Sequence, residues 1–187
     1  MRHANPLFGS DLELWDVLVD ARAFQQVPGL SGHAVAVYLS GGVGIGEPAR
    51  RANFTVGGFA DRDITRDLLE NRYSGAGALR GYPRGYLAGD ALALSTVEYR
   101  LPILEIERGA ETLPVFVERV HAAAFADLGL AFSGAPVPTD FRSSVGGELR
   151  LDVMLGYYGF FQVRLGYARG FNVGGVDQPY LVMGFPY

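Results

Sequence analysis

Residues 141–155 read FRSSVGGELRLDVML, and taking every second residue separates two chemistries. Ser143, Val145, Gly147, Leu149, Leu151, Val153 and Leu155 fall on one side, and Arg142, Ser144, Gly146, Glu148, Arg150 and Asp152 on the other. A helix repeats its faces every 3.6 residues, so this period of two describes a strand with one apolar and one charged face. Segment 160–169 continues it, with Phe161, Val163, Leu165 and Tyr167 opposing Gln162, Arg164, Gly166 and Ala168. Segment 91–101 sets Ala93, Val97, Tyr99 and Leu101 against Thr96, Glu98 and Arg100. Segment 121–132 sets Ala122, Ala124, Ala126, Leu128, Leu130 and Phe132 against His121 and Asp127. Nearer the N-terminus, 14–24 alternates Trp15, Val17, Val19, Ala21 and Ala23 with Asp16, Asp20 and Arg22. Its expected partner is 33–45, across the turn VPGLSG. A last short strand, YLVMGFPY (180–187), completes seven.

The spacing predicts one exception, a helical turn over Asp61–Glu70 in which Ile64, Leu68 and Leu69 share a face. Otherwise the pattern is an all-β antiparallel meander forming one unit over residues 1–187. Several strands exceed the roughly 5–6 residues usual in globular sheets. They approach the roughly 9–11 that a tilted strand needs to cross a bilayer. Glu98, Asp127, Glu148, Arg150, Asp152 and Arg164 would crowd the charged face. Two readings meet these facts. In a transmembrane barrel the apolar face looks out at lipid and the charged face lines a lumen. In a soluble β-barrel or sandwich the charged face meets water and the apolar side encloses a small apolar ligand.

The 26 glycines, 10 tyrosines and 12 phenylalanines, against one tryptophan, suit twisted strands with aromatic ends. Without cysteine there is no disulfide framework and no thiolate site. Sixteen basic and 20 acidic residues leave a net charge of −4, which does not favour nucleic acid. The N-terminal MRHANPLFGSDLELWD contains no apolar h-region, so no signal peptide is expected in it. His3, His33 and His121 lack metal-ligand spacing, and the glycines at 41–46 precede no helix that could cradle a phosphate. Asp127 and Glu148 form a carboxylate pair, but on a wall shared with arginines they read as a charge network rather than a hydrolytic dyad. With no nucleophile and base constellation, neither enzymatic activity nor a cofactor or metal is expected.

The order of four landmarks adds to this. FTVGGF (54–59) precedes LRGY (79–82); VEYRLP (97–102) and FADLG (125–129) follow, ahead of two more alternating strands and an aromatic C-terminus. From about Leu14 to Tyr187 this run resembles the C-terminal barrel region of the BamA-like superfamily, the bacterial surface antigen family. The resemblance implies an antiparallel up-and-down transmembrane β-barrel segment of the bacterial outer membrane, in proteins that insert or translocate polypeptides. Its implied partners are outer-membrane lipid, client polypeptides, and further barrel strands from a longer parent chain or another copy, because seven strands do not close such a ring.

The resemblance also implies site residues. A long loop, 59–90, folds into the lumen, where Arg80, Gly81 and Tyr82 form its tip and Arg80 meets Asp127 on the wall, with Glu98 or Glu148 as second acceptor. Phe54, Gly57 and Gly58 form a strand-end motif, and Phe185 and Tyr187 belong to a C-terminal sorting strand. With the long stretch between Gly58 and Leu79 and with IERGAETLP (106–114), this version resembles barrels fused to periplasmic modules rather than the core assembly protein.

Overall fold

The computed structural model describes residues 2–4, 14–46, 54–58, 78–109, 114–156 and 159–184. Among these residues the ten strands are β1 (Arg2–Ala4), β2 (Leu14–Gln26), β3 (Ala34–Gly46), β4 (Phe54–Val56), β5 (Leu87–Gly89), β6 (Ala91–Gly109), β7 (Val115–Phe132), β8 (Arg142–Leu155), β9 (Gly159–Gly170) and β10 (Asp177–Gly184). Eight of them make one antiparallel sheet in the order β1-β2-β3-β6-β7-β8-β9-β10; β4 and β5 pair separately. The seven long strands follow one another up and down, and the sheet is open: β10 pairs only with β9 among the described residues. The expected all-β meander is the observed fold. The helical turn expected at Asp61–Glu70, and Phe185 and Tyr187, lie outside the described residues.

Local chemistry explains the connections. Between β2 and β3, Leu30 N–H donates to Val27 O and His33 N–H to Leu30 O, closing two successive turns. Pro28 leads the first, and Gly29 and Gly32 take φ of +81° and +76° at the position where such turns demand glycine. Strands β6 and β7 run well past the expected limits at 101 and 121, so residues 106–109 belong to β6, while 110–113 lie outside the described residues. Register shifts between Pro102 and Leu104, and between Glu105 and Arg108, break the alternation there. Such bulges add an unpaired residue and turn side chains off their face, which is why the segment does not read as strand.

The register settles the two faces. Val37, Val97, Ala126 and Val145 lie side by side on β3, β6, β7 and β8. Lower on the same face Leu149, Leu165 and Leu181 form a row across β8, β9 and β10. Much of this face is open: Leu149 is 48%, Leu165 56% and Leu181 57% exposed, although Leu130 near the end of β7 is buried. The opposite face is covered by the excursion between β3 and β6. Its β4–β5 ribbon and tip pack Val56, Leu79 and Tyr82 against Leu92, Leu94 and Ala131, with Leu18 and Phe54 at the margin. Across β6, β7 and β8 the molecule therefore buries the charged groups Glu98, Asp127, Glu148 and Arg150 and exposes apolar ones, while Asp20 and Arg22 on β2 stay exposed. Most soluble sheets do the reverse.

Candidate functional site

Arg80 stands at the centre of the covered face, 3% exposed. Its Nε donates to Asp127 Oδ2 at 2.8 Å and its Nη2 to Asp127 Oδ1 at 2.7 Å, a two-pronged fork, while its backbone N–H reaches Oδ2 at 3.2 Å. The remaining nitrogen, Nη1, donates to Glu148 Oε1 at 2.9 Å and Glu98 Oε1 at 3.2 Å. One loop side chain thus ties β6, β7 and β8 together. The planar guanidinium suits this because its donors are fixed in direction and its charge is permanent. Burial alone would lower its pKa; the hydrogen bonds and charge of Asp127, with Glu148 and Glu98 behind it, more than reverse that and raise it. Below the guanidinium lies the Phe125 ring, 3.3 Å from Cζ to centroid. The ring presents its negative face to a desolvated cation.

Glu148 is the hub of a wider network. It accepts from Arg80, from Arg150 Nε at 2.7 Å, from Arg164 Nη2 at 2.7 Å and from the Tyr180 hydroxyl at 2.5 Å. Arg150 and Arg164 face each other directly across β8 and β9. Two like charges in that register repel unless an anion bridges them, and Glu148 does so. Glu98 is shared by Arg80, Arg100 and Arg150. Asp127 has fewer partners: besides Arg80 it accepts only from Thr96 Oγ1, at 2.8 Å, among the described residues.

Glycines make the room. Gly81 has φ +79°, and a Cβ there would lie 2.6 Å from Gly170 N. Gly57 and Gly58 follow β4 and pass behind the tip: Leu79 N–H donates to Gly57 O and Gly58 N–H to Tyr82 O, and added Cβ atoms would fall 2.2 Å from Pro83 O and 2.3 Å from Tyr82 O. Phe54 packs at the edge of the small core. Tyr82 is fully buried and its hydroxyl donates to Ser143 O, accepting in turn from Asn172 N–H at 3.1 Å. On the wall, Gly146 opposes Phe125 and Gly166 opposes Glu148. The Phe125 ring fills the space above the first, and the Tyr180 ring the space above the second.

The structure brings Arg80, Gly81, Tyr82, Asp127, Glu98 and Glu148 into one cluster, with Glu98 and Glu148 both engaged rather than one of them. Sequence reasoning missed Phe125, Tyr180, Gln178, Thr96 and Asn172 as members. A signal existed for two of them, since Gly146 and Gly166 sit on the charged side of their strands where an aromatic from a neighbour fits. His33 pairs with Tyr99, its Nδ1 2.7 Å from the hydroxyl, and no metal-ligating cluster occurs among the described residues. Neither the protein-family models nor the curated proteins compared with the chain give a match.

A methyl at Gly166 would lie 2.4 Å from the Tyr180 ring, whereas one at Gly147 on the open face meets nothing closer than 3.6 Å. Gly166→Ala is therefore expected to lower stability by about 1–3 kcal/mol, as overpacking does, and Gly147→Ala to be near neutral. Urea-unfolding midpoints of the two variants check this.

Proposed function

We propose that this chain is part of a bacterial outer-membrane β-barrel whose strands cross the bilayer with the apolar face on lipid and the pinned excursion in the lumen, and which serves the insertion or translocation of polypeptides. The observation that carries the reading is the inversion of the faces: Val19, Leu39, Val97, Leu128, Leu149, Leu165 and Leu181 are exposed, one on each of the seven long strands, while Arg80, Glu98, Asp127, Glu148 and Arg150 are buried. Lipid is the solvent that satisfies both faces at once. Dimensions support it. From Phe161 to Arg169 the open face of β9 runs roughly 26 Å at about 3.3 Å per residue, close to the ~25 Å apolar band once aromatic ends and tilt are counted. No described helix is long and apolar enough to span, which says nothing of strands. The open sheet needs further strands to close, from a longer parent chain or a second copy.

The polypeptide-handling part of the reading rests on the resemblance of the four landmarks and on the Arg80 cluster found where that resemblance implies it. In a soluble barrel or sandwich, the alternative, Leu149, Val163 and Leu165 would line an interior; the exposure of Leu149 and Leu165 weighs against it. Two measurements test the proposal. Cell fractionation should recover the protein with the outer membrane and resistant to urea extraction; recovery in the urea-soluble fraction overturns the membrane reading. Depletion of the protein should reduce another outer-membrane or exported polypeptide, and an unchanged set of both overturns the polypeptide-handling role.

A further inference from the structure

We infer that the loop tip is a clasp on the last strand, so that the Arg80 cluster and the seating of β10 form one coupled unit. Strand β10 has one hydrogen-bonded neighbour among the described residues, β9, along Asp177–Gly184. On its buried side two side chains reach across to the excursion and its cluster. Gln178 Oε1 accepts the Gly81 N–H at 2.9 Å, and a Cβ on Gly58 would lie 2.6 Å from the same oxygen. Both glycine motifs of the excursion thus converge on this one amide. Two positions on, the Tyr180 hydroxyl donates to Glu148 Oε1, the oxygen that also accepts from Arg80 Nη1. Just before the strand, Val176 N–H donates to Gly81 O at 2.9 Å. Two holds, at 176 and 178, join the strand to the segment that Arg80 anchors, and a third, at 180, joins it to the wall carboxylate that Arg80 binds.

The physical consequence is reciprocal coupling. Loosening the tip removes two holds, at 176 and 178, from a strand with a single ladder among the described residues, and frees the Glu148 oxygen that Tyr180 shares with Arg80; loosening the strand removes an acceptor from Gly81 and a donor from Glu148. Strands β2 and β3 lie on the far side of the sheet and share none of these contacts. This goes beyond the proposed function and does not depend on where the chain resides.

Amide-resolved hydrogen exchange on the full chain, folded in detergent micelles, tests it with Tyr180→Phe and Gln178→Ala. The decisive amides are Leu79, which donates to Gly57 O, and Arg80, which donates to Asp127; neither touches β10. Both variants are expected to speed their exchange roughly tenfold, the ratio for losing one hydrogen bond to a charged or buried partner, with β2 and β3 unchanged. Arg80→Ala should in turn speed the amides of 177–184, since coupling between two sites is equal in both directions. If Tyr180→Phe, which keeps the ring, and Gln178→Ala leave Leu79 and Arg80 exchanging as before, the inference is wrong. Acceleration spread evenly over β2 and β3 as well would also overturn it, because that is a general loss of stability rather than a clasp.

Discussion

Arg80→Ala will destabilise the folded chain by about 3–5 kcal/mol, the cost of stranding a buried carboxylate by removing its only cation among the described residues. The carboxylate that suffers is Asp127, not Glu98 or Glu148. Glu98 keeps Arg100 and Arg150, and Glu148 keeps Arg150 and Arg164. Asp127 keeps only the Thr96 hydroxyl among the described residues. The network therefore makes an asymmetric forecast for double variants. Arg80→Ala with Asp127→Ala should cost little more than the worse single change, a coupling of about 2–3 kcal/mol, whereas Arg80→Ala with Glu148→Ala should come within about 1 kcal/mol of additivity. Arg80→Lys will not rescue: an ammonium keeps the charge but has no planar fork to hold both oxygens of Asp127 while reaching two glutamates. Denaturant unfolding in detergent, or the temperature at which the folded band is lost on gels, reads all of these. Additive losses for Arg80 and Asp127 would remove the pairing from any account of the fold.

How far this cluster was legible in the sequence depends on which residue is asked about. Period two assigns Glu98, Asp127 and Glu148 to one face with no knowledge of the fold, because strand side chains alternate whatever the register. Pairing Arg80 with Asp127 needed more, since 47 residues separate them, and it came from the order of the landmarks rather than from spacing. Phe125 escaped notice: amid alanines it looks like a lipid-facing aromatic, yet parity puts it beside Asp127, and Gly146 opposite makes its space. Tyr180 and Gln178 escaped for a related reason. In the final strand the sequence points to the odd positions Phe185 and Tyr187, and the even ones acquire meaning only once register sets Tyr180 against Gly166 and Glu148. The limits of β6 and β7 were hidden by bulges, which erase the alternation that identifies a strand.

Leu165→Arg carries the second large effect and separates the two solvents the open face could meet. Leu165 lies mid-strand between Leu149 and Leu181 and is already 56% exposed. In water a further charge at such a position would shift stability by no more than about 0.5 kcal/mol. Against acyl chains the same arginine costs about 2–4 kcal/mol near the bilayer midplane, falling to about 0–1 near the interfaces. Val145 supplies the internal comparison: it is 44% exposed on the same face, but pairs with Arg169, where β9 already carries a charge close to its end. Val145→Arg should therefore be mild and Leu165→Arg severe when both are unfolded from lipid vesicles. Depth, not exposure, has to be the cause of such a difference, since by exposure the two sites differ little. Equal tolerance at the two positions would mean that this face does not meet hydrocarbon, and the inversion of the faces would then need another partner to cover it.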